Sequence, residues 1–441
     1  VKHILKDNPL KYDKGILAEI LDPIMGKGLI PADPDTWKVR RRAIVPGFHK
    51  AWLNAMMSLF VKCNQPLIAK LTEAAETGKV LDMETEFCSV ALDIIGRAVF
   101  NYDFGSVTKE SPVVKAVYRA LQEAEHRSVS FIPYWNLPFA NHYFPSLKEF
   151  TKNMNLLNSV LNELIQKALS TQSQSDIEEL ERRDYSQAEN ASLLRFLVDM
   201  RGENTTSKQL RDDLMTLLIG GHETTAAMLT WTFFELSKNP KLYQQVQAEI
   251  DEKLQGKPPT FEDTLRLPLL RLCLAETLRM YPEPPLLIRR ALEDDRLPAG
   301  IHLGKEVFIP KGTDLFISTF NIHRSEEFWD QPNQYNPFRF LSNYSHVRKD
   351  EISSYYPWNG FKVGNYQMQL YPNEVNSDFA FLPFGGGIRK CVGDQFAMME
   401  SVATVALILQ RFDVELAVPE EQVGMKTGTT DPPFTFTLVI L

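Results

Sequence analysis

A chain of 441 residues that is 44% hydrophobic is long enough for one large domain or two to three ordinary ones, with ample apolar material for a core. The formal net charge of −8, with no dominant basic block, gives a nucleic-acid role no electrostatic support, and Arg40-Arg41-Arg42 reads as a solvated face. Four cysteines in this length exclude a disulfide framework, and no CxxC pair or close His/Cys set suggests structural zinc. No apolar run reaches the ~18 residues of a membrane span. The opening Val1-Lys2-His3-Ile4-Leu5 reads as the middle of an element, so the chain is expected to lack its N-terminus, with any anchor or targeting peptide.

Helical periodicity dominates the first half. Apolar residues recur at three- and four-residue spacing over Asn54 to Glu76, Ser89 to Phe100, Val113 to Glu125 and Lys148 to Ser170. A polar, charge-rich connection follows to Glu189, and then a short amphipathic helix, Ala191 to Met200. The longest pattern runs from Ser207 to Lys238 and is stopped by Asn239-Pro240. Further helices are expected over Lys241 to Leu254 and Leu269 to Met280. Beyond Pro282 the character changes: Leu286 to Ala291 and Glu306 to Ile309 read as short strands, with Pro310 to Thr313 as a turn. Leu341 to Asn376 is irregular, Asp394 to Arg411 is helical, and Val423 to Leu441 alternates like a hairpin. The fold class is mainly α with small β-sheets.

The sharpest local signal is Phe384-Gly385-Gly386-Gly387-Ile388-Arg389-Lys390-Cys391-Val392-Gly393. A glycine run lets backbone approach a flat ligand. Arg389 supplies a cation two residues before the sulfur. Cys391 precedes a helix, whose N-terminal amides favour thiolate over thiol. Cys63, Cys88 and Cys273 lie instead among apolar, helix-patterned neighbours and read as inert core thiols. Phe384, Gly387, Arg389, Cys391 and Gly393 fall on every defined position of the cysteine loop of the cytochrome P-450 superfamily, which the sequence resembles. The resemblance implies a cytochrome P-450 fold, N-terminally truncated, forming a single haem-thiolate domain over 1–441. It also implies haem b with Cys391 as the axial ligand of its iron, Phe384 packed beside that ligand, and Arg389 on a propionate.

Other segments match the same family. Gly220-Gly221-His222-Glu223-Thr224-Thr225 interrupts the long helical pattern, since each glycine weakens a helix by roughly 1 kcal/mol relative to alanine. The resemblance makes it an oxygen-binding opening, with Glu223 and Thr224 as the catalytic pair that relays protons and His222 pointing away. Gly220 stands where alanine is commoner. Glu276-Thr277-Leu278-Arg279 places opposite charges at i and i+3 in an apolar helix, where a charge must be paired. With Arg339 of Pro337-Phe338-Arg339-Phe340 it is expected to form a buried scaffold; Phe338 replaces the acid usual in the family. Trp37 and Arg41, at i and i+4, match a pattern that holds a haem propionate. Of Arg289 and Arg290, adjacent in a strand, only one can face the haem, and the spacing from the preceding helix favours Arg290. Substrate contacts are expected from Leu217, Gly221, Thr224 and Pro285 to Leu287.

Several stretches, among them Lys14 to Leu21, Gly26 to Asp33, Gln209 to Gly220 and Pro284 to Arg290, resemble the carotenoid ring hydroxylases of plant and algal plastids. That resemblance implies a plastid monooxygenase acting on the β- or ε-ring of a carotene. Its electrons would come from a ferredoxin-type donor or a flavin reductase, and it would make a peripheral membrane contact. The Leu341 to Asn376 segment departs from the land-plant pattern, which fits an algal member, an altered regiochemistry or a surface insertion. Two rivals stand beside this reading. A haem-thiolate peroxide isomerase would not need Glu223-Thr224, and a haem-binding sensor would show no turnover.

Overall fold

The computed structural model describes residues 1–109, 111–130, 132–170, 193–194, 197, 207–299, 305–341, 369–423 and 437–440. It is 64% helical with small sheets, the class the hydrophobic periodicity implies. Two compact units emerge: Val1–Ile16 with Ala227–Phe412, and Leu17–Ala226 with Asp413–Leu441. The long helix, Ser207–Lys238, belongs to the second unit up to Ala226 and to the first from Ala227.

In the second unit, helices Lys50–Thr77 and Met83–Phe100 pack together, as do Pro112–Val129 and Pro145–Ser170. Helix Met83–Phe100 begins six residues before the apolar rhythm does. Its first turn carries Glu84 and Glu86, which break the pattern but suit a helix N-terminus, and the Asp82 side chain accepts from the Glu84 and Thr85 amides. Asn101 closes it in the left-handed region. Helix Pro34–Ile44 opens on an equally plain signal: Asp33 caps the Asp35 and Thr36 amides, and Pro34 occupies the first turn. The long helix runs unbroken through the Gly220-Gly221 step, so the expected interruption is absent. The Thr224 hydroxyl donates to the Gly220 carbonyl at 2.9 Å, within the helix itself. Of the expected helix Ala191 to Met200, only Leu193, Leu194 and Leu197 are described; they are helical and buried.

A small antiparallel sheet in this unit joins β2 (Leu81–Asp82), β8 (Thr437–Ile440) and β7 (Val414–Leu416), in that order. Most of the expected C-terminal hairpin lies outside the described residues.

The first unit is organised around helix Pro268–Met280, whose residues from Leu270 to Met280 are all buried, and helix Asp394–Leu409, which is mostly apolar and buried on nearly every side and is therefore a core helix. Pro240 starts the helix Pro240–Leu254, which packs against both. Beside them lies the sheet β1 (Tyr12–Asp13), β3 (Leu286–Ala291), β6 (Asp314–Ser318), and a two-stranded ribbon of β4 (Asp295–Leu297) and β5 (Val307–Ile309). Its register sets Arg290 opposite Asp314 and Leu287 opposite Ile317. One core cluster joins Ile4, Leu5 and Tyr12 to Ile317, Phe379 and Leu382, so the first residues of the chain pack against the approach to the cysteine loop.

Candidate active site

The cysteine loop is shaped by its glycines and by what presses on them. Gly385 and Gly387 lie at φ +74° and +69°, backbone that favours glycine. A Cβ on Gly387 would collide with the Leu5 carbonyl, in the π-helical turn His3–Asp7. At Gly387 the steric demand for glycine comes from protein backbone, whereas a Cβ on Gly385 would meet only Lys390 Cα, at 4.0 Å. Phe384 accepts from the Cys391 amide at 2.9 Å, closing the loop. The Gly393 amide donates to Cys391 Sγ at 3.3 Å, a contact that favours the thiolate. Cys391 is exposed, whereas Cys63 and Cys273 are buried and Cys88 is half-buried; burial pushes the Cys88 and Cys273 thiols up, so neither is reactive.

Two partners of this loop carry no sequence signature. Tyr371 is buried, packs at a tilt against Phe384 with ring centroids 4.9 Å apart, and donates to Asp394 Oδ2 at 2.5 Å, where the following helix starts; Lys390 Nζ reaches the same oxygen at 3.0 Å. Tyr371 lies in the segment that looked like irregular surface, and residues 342–368 of that segment lie outside the described ones. His323 is completely buried. Its Nδ1 meets the Arg279 carbonyl at 3.2 Å, and its Nε2 accepts from the Leu382 amide at 2.8 Å. These contacts assign the proton to Nδ1, and burial holds the imidazole neutral, with its pKa pushed down to about 3.

His323 thereby ties the loop's approach to the buried scaffold. Arg279 grips Glu276 with two bonds of 2.9 Å, and Arg339 Nε reaches Glu276 Oε1 at 2.9 Å. The Asn336 amide also donates to Glu276, and the His323 and Asp330 carbonyls accept from the two arginines. Glu276 and Arg279 are fully buried, and Arg339 is 4% exposed. Phe338 is exposed, so its replacement of an acid leaves no buried partner stranded.

Arg289, not Arg290, points inward. Arg290 forms a two-pronged pair with its cross-strand neighbour Asp314, at 3.0 and 2.7 Å. Arg289 is buried and lies within electrostatic reach of Arg389 and Lys14. Burial, then the charge of Arg389, lowers its pKa to about 10, with Asp13 opposing. Lys14 is pushed well below its ordinary value by burial and then by both arginines. Lys14 went unnoticed in the sequence because nothing marks one lysine beyond a two-residue strand. Strand alternation allows one arginine inward: Arg289 is the buried one, and Arg290, the one expected from the sequence, pairs with Asp314.

In the second unit, Trp37 is buried and Arg41 half-buried on helix Pro34–Ile44, one turn apart on one face. On the long helix, Glu223 is half-buried, Thr224 is exposed and His222 is buried, its pKa pushed down to about 4 by burial. The charge of Glu223, after burial and Glu84, adds to the upward push on Cys88 and Tyr118. Gly221 packs against Ile95, which would meet a Cβ there, so it is a packing glycine before it is a substrate contact. Gly220 faces open space within 4 Å, which is why alanine fits that position equally well. Leu217 is buried, Leu286 is 42% exposed, and Leu287 packs on the sheet core.

A family model described as Cytochrome P450 matches residues 1–437. The chain belongs to the cytochrome P450 family. This P450 is 53% identical to a chloroplastic cytochrome P450 97B2 of Glycine max, over 97% of this chain and 75% of that one. It is 43% identical to the protein LUTEIN DEFICIENT 5 of Arabidopsis thaliana, over 97% of this chain and 66% of that one. With the carotene epsilon-monooxygenase of the same plant it shares 40% identity, over 97% and 73%. Family membership makes the protein a haem-dependent monooxygenase. The residues fit that cofactor. Among the described residues no group of three or more His, Cys, Asp or Glu is placed to hold a bare ion. An accessible sulfur with an amide donor suits a single protein ligand to an iron whose other ligands come from a macrocycle. The convergence of Lys14, Arg289 and Arg389 suits the carboxylates such a macrocycle carries.

Proposed function

We propose that this P450 hydroxylates a ring C–H bond of a carotene. Cys391 serves as the axial thiolate of haem b, and the whole chain acts as one monooxygenase domain. When bound, haem supplies the activation of dioxygen with two electrons, which a thiolate ligand promotes. The Gly393 amide donates to the Cys391 sulfur, a contact that favours the thiolate. Arg389, Arg289 and Lys14 suit a carboxylate of the cofactor, and Phe384, Gly387 and Gly393 shape the loop; Trp37 and Arg41 share one face of their own helix, the pattern that holds a propionate in the family. Thr224, whose proton is engaged by the Gly220 carbonyl, keeps its oxygen lone pairs open to accept. Glu223, half-buried, exchanges protons with solvent and passes them along the helix face.

The carotene assignment rests on one observation: relatives 40% and 43% identical across nearly the whole chain bear carotene- and lutein-related names. Their chloroplastic naming supports a plastid location and a ferredoxin-type donor, with a flavin reductase as the alternative. No described helix is long and apolar enough to cross a membrane. A peripheral contact has a candidate in residues 132–144. Tyr134, Trp135, Ala140, Phe144 and Leu147 form a small core there, which leaves Ile132, Leu137, Phe139 and Tyr143 exposed at 65, 47, 80 and 72%. That cluster carries no Asp, Glu, Lys or Arg, the composition expected at a bilayer interface.

Incubating the haem-loaded protein with β-carotene and with α-carotene, a reductant and dioxygen should yield mono- or dihydroxylated products, identified by mass. Absence of product from both would remove the carotene assignment and leave the haem reading intact. A ferrous–carbonyl spectrum lacking the thiolate signature would remove the role of Cys391.

A further inference from the structure

The second unit contains an ion pair that none of the chemistry above uses. Helix Pro34–Ile44 buries Arg40 to 4% exposure, and its Nη1 donates to Asp213 Oδ2 on the long helix at 2.7 Å; Asp213 is fully buried. Arg40 Nη1 also donates to the Gln209 backbone carbonyl, one turn earlier, at 3.4 Å, and with the Gln209 amide assigned so that its oxygen faces the cation, that oxygen accepts from Nη1 at 2.6 Å and Nε at 2.7 Å. Next to Asp213, Asp212 accepts from the Lys27 amide at 3.0 Å. The turn around it comes so close that a Cβ on Gly28 would collide with Thr216 and the Asp212 carbonyl.

We propose that Arg40, Gln209 and Asp213 are positioning residues that set the rotation of the long helix about its own axis, and with it the direction in which Thr224 points. The helical repeat supports this. Gly220 lies seven residues after Asp213 and Thr224 eleven, offsets of about −20° and +20° around the axis at 3.6 residues per turn. All three therefore share one face. Leu210, Leu214, Met215 and Leu218 are buried on the same helix, while Arg211 and Asp212, on its other side, bond Asn158 and the Lys27 amide. Apolar contact is non-directional and tolerates rotation. A guanidinium held by a carboxylate and an amide does not. A buried ion pair adds little net stability compared with apolar residues of similar volume, so its use here is directional. Because Arg40 stands between Trp37 and Arg41, the joint also links the proposed propionate-holding face to the Thr224 face.

The inference rests on the proton-handling role of Thr224, so one readout is independent of that role. In the haem-loaded protein, the double variant Arg40→Met/Asp213→Leu fills the space without charge. It is expected to keep the thiolate ferrous–carbonyl band and its melting temperature within a few degrees. Amide hydrogen exchange over residues 218–226 should rise by roughly 10-fold, and hydrogen peroxide released per electron consumed by about 5-fold. Arg40→Lys, which keeps one charge-assisted bond, should recover part of both. Faster exchange with unchanged peroxide yield would support the joint and sink the role of Thr224. Unchanged exchange in the folded double variant would overturn the proposal. Loss of the fold or of the thiolate band in that variant would overturn it too, because the pair would then be a general support.

Discussion

Two clusters of enclosed charge lie within the first unit, built on opposite principles. In Glu276–Arg279–Arg339 one carboxylate faces two guanidiniums, and backbone carbonyls take up the remaining donors, so the set is complete by itself. In Lys14–Arg289–Arg389 three cations approach one another, with burial and mutual repulsion lowering the pKa of Lys14 and Arg289. The difference separates a structural charge cluster from one shaped for a ligand. The first should resist every perturbation except loss of a member, and the second should gain from an anion.

The largest expected effect tests the first half of that contrast. Glu276→Gln would leave two buried guanidiniums without their carboxylate, at about 3–5 kcal/mol; calorimetry should find the variant unfolded or melting far below the parent. A parent-like melting temperature would show that the scaffold tolerates uncompensated charge. Gly387→Ala should follow. The left-handed backbone alone costs ~1–2 kcal/mol, and the collision with the Leu5 carbonyl adds to it. The loop that aims Arg389 would shift, and the ferrous–carbonyl band should convert partly to a non-thiolate form.

The second half of the contrast is tested by adjacent arginines. Arg289→Gln should raise the melting temperature of the haem-free protein, since it relieves like-charge repulsion, while haem dissociates about 10-fold faster. Arg290→Gln loses its part-exposed pair with Asp314, worth about 1 kcal/mol at most, and haem retention should not change. Equal haem loss in both variants would return Arg290 to the site.

A last effect is a slope. His323 has a depressed pKa in the fold, so the unfolded chain binds a proton that the folded one refuses between about pH 6.5 and 3. Stability should therefore fall as pH drops through that window, by at most ~1.4 kcal/mol per unit for this group. His323→Gln should flatten that limb in a melting-temperature profile, although it lowers the plateau. An unchanged slope would mean that the imidazole is not neutral in the fold.

Much of this was legible before any coordinates. The long helix, the helix Pro268–Met280 and the strand Leu286–Ala291 announce themselves through local periodicity and proline stops, and the cysteine loop through its spacing. What stayed hidden has a common cause. Strand alternation says that Arg289 and Arg290 face opposite ways, but which way is inward depends on β6, whose register sets Asp314 across from Arg290. Lys14, His323 and Tyr371 stand far from the residues they serve in the chain, and no pattern of three or four residues marks them. Gly387 was visible as a motif glycine, yet its reason, the Leu5 carbonyl, comes from the far end of the chain.

The sequence by itself determined most of the helices, the family, and the sulfur proposed as the iron ligand, because those depend on short-range steric and capping preferences and on a compact motif. Tertiary structure alone decided which arginine turns inward, which lysine joins it and which histidine braces the loop. Each of those choices is made by contact between segments tens to hundreds of residues apart, where packing and charge pairing outweigh any local rule.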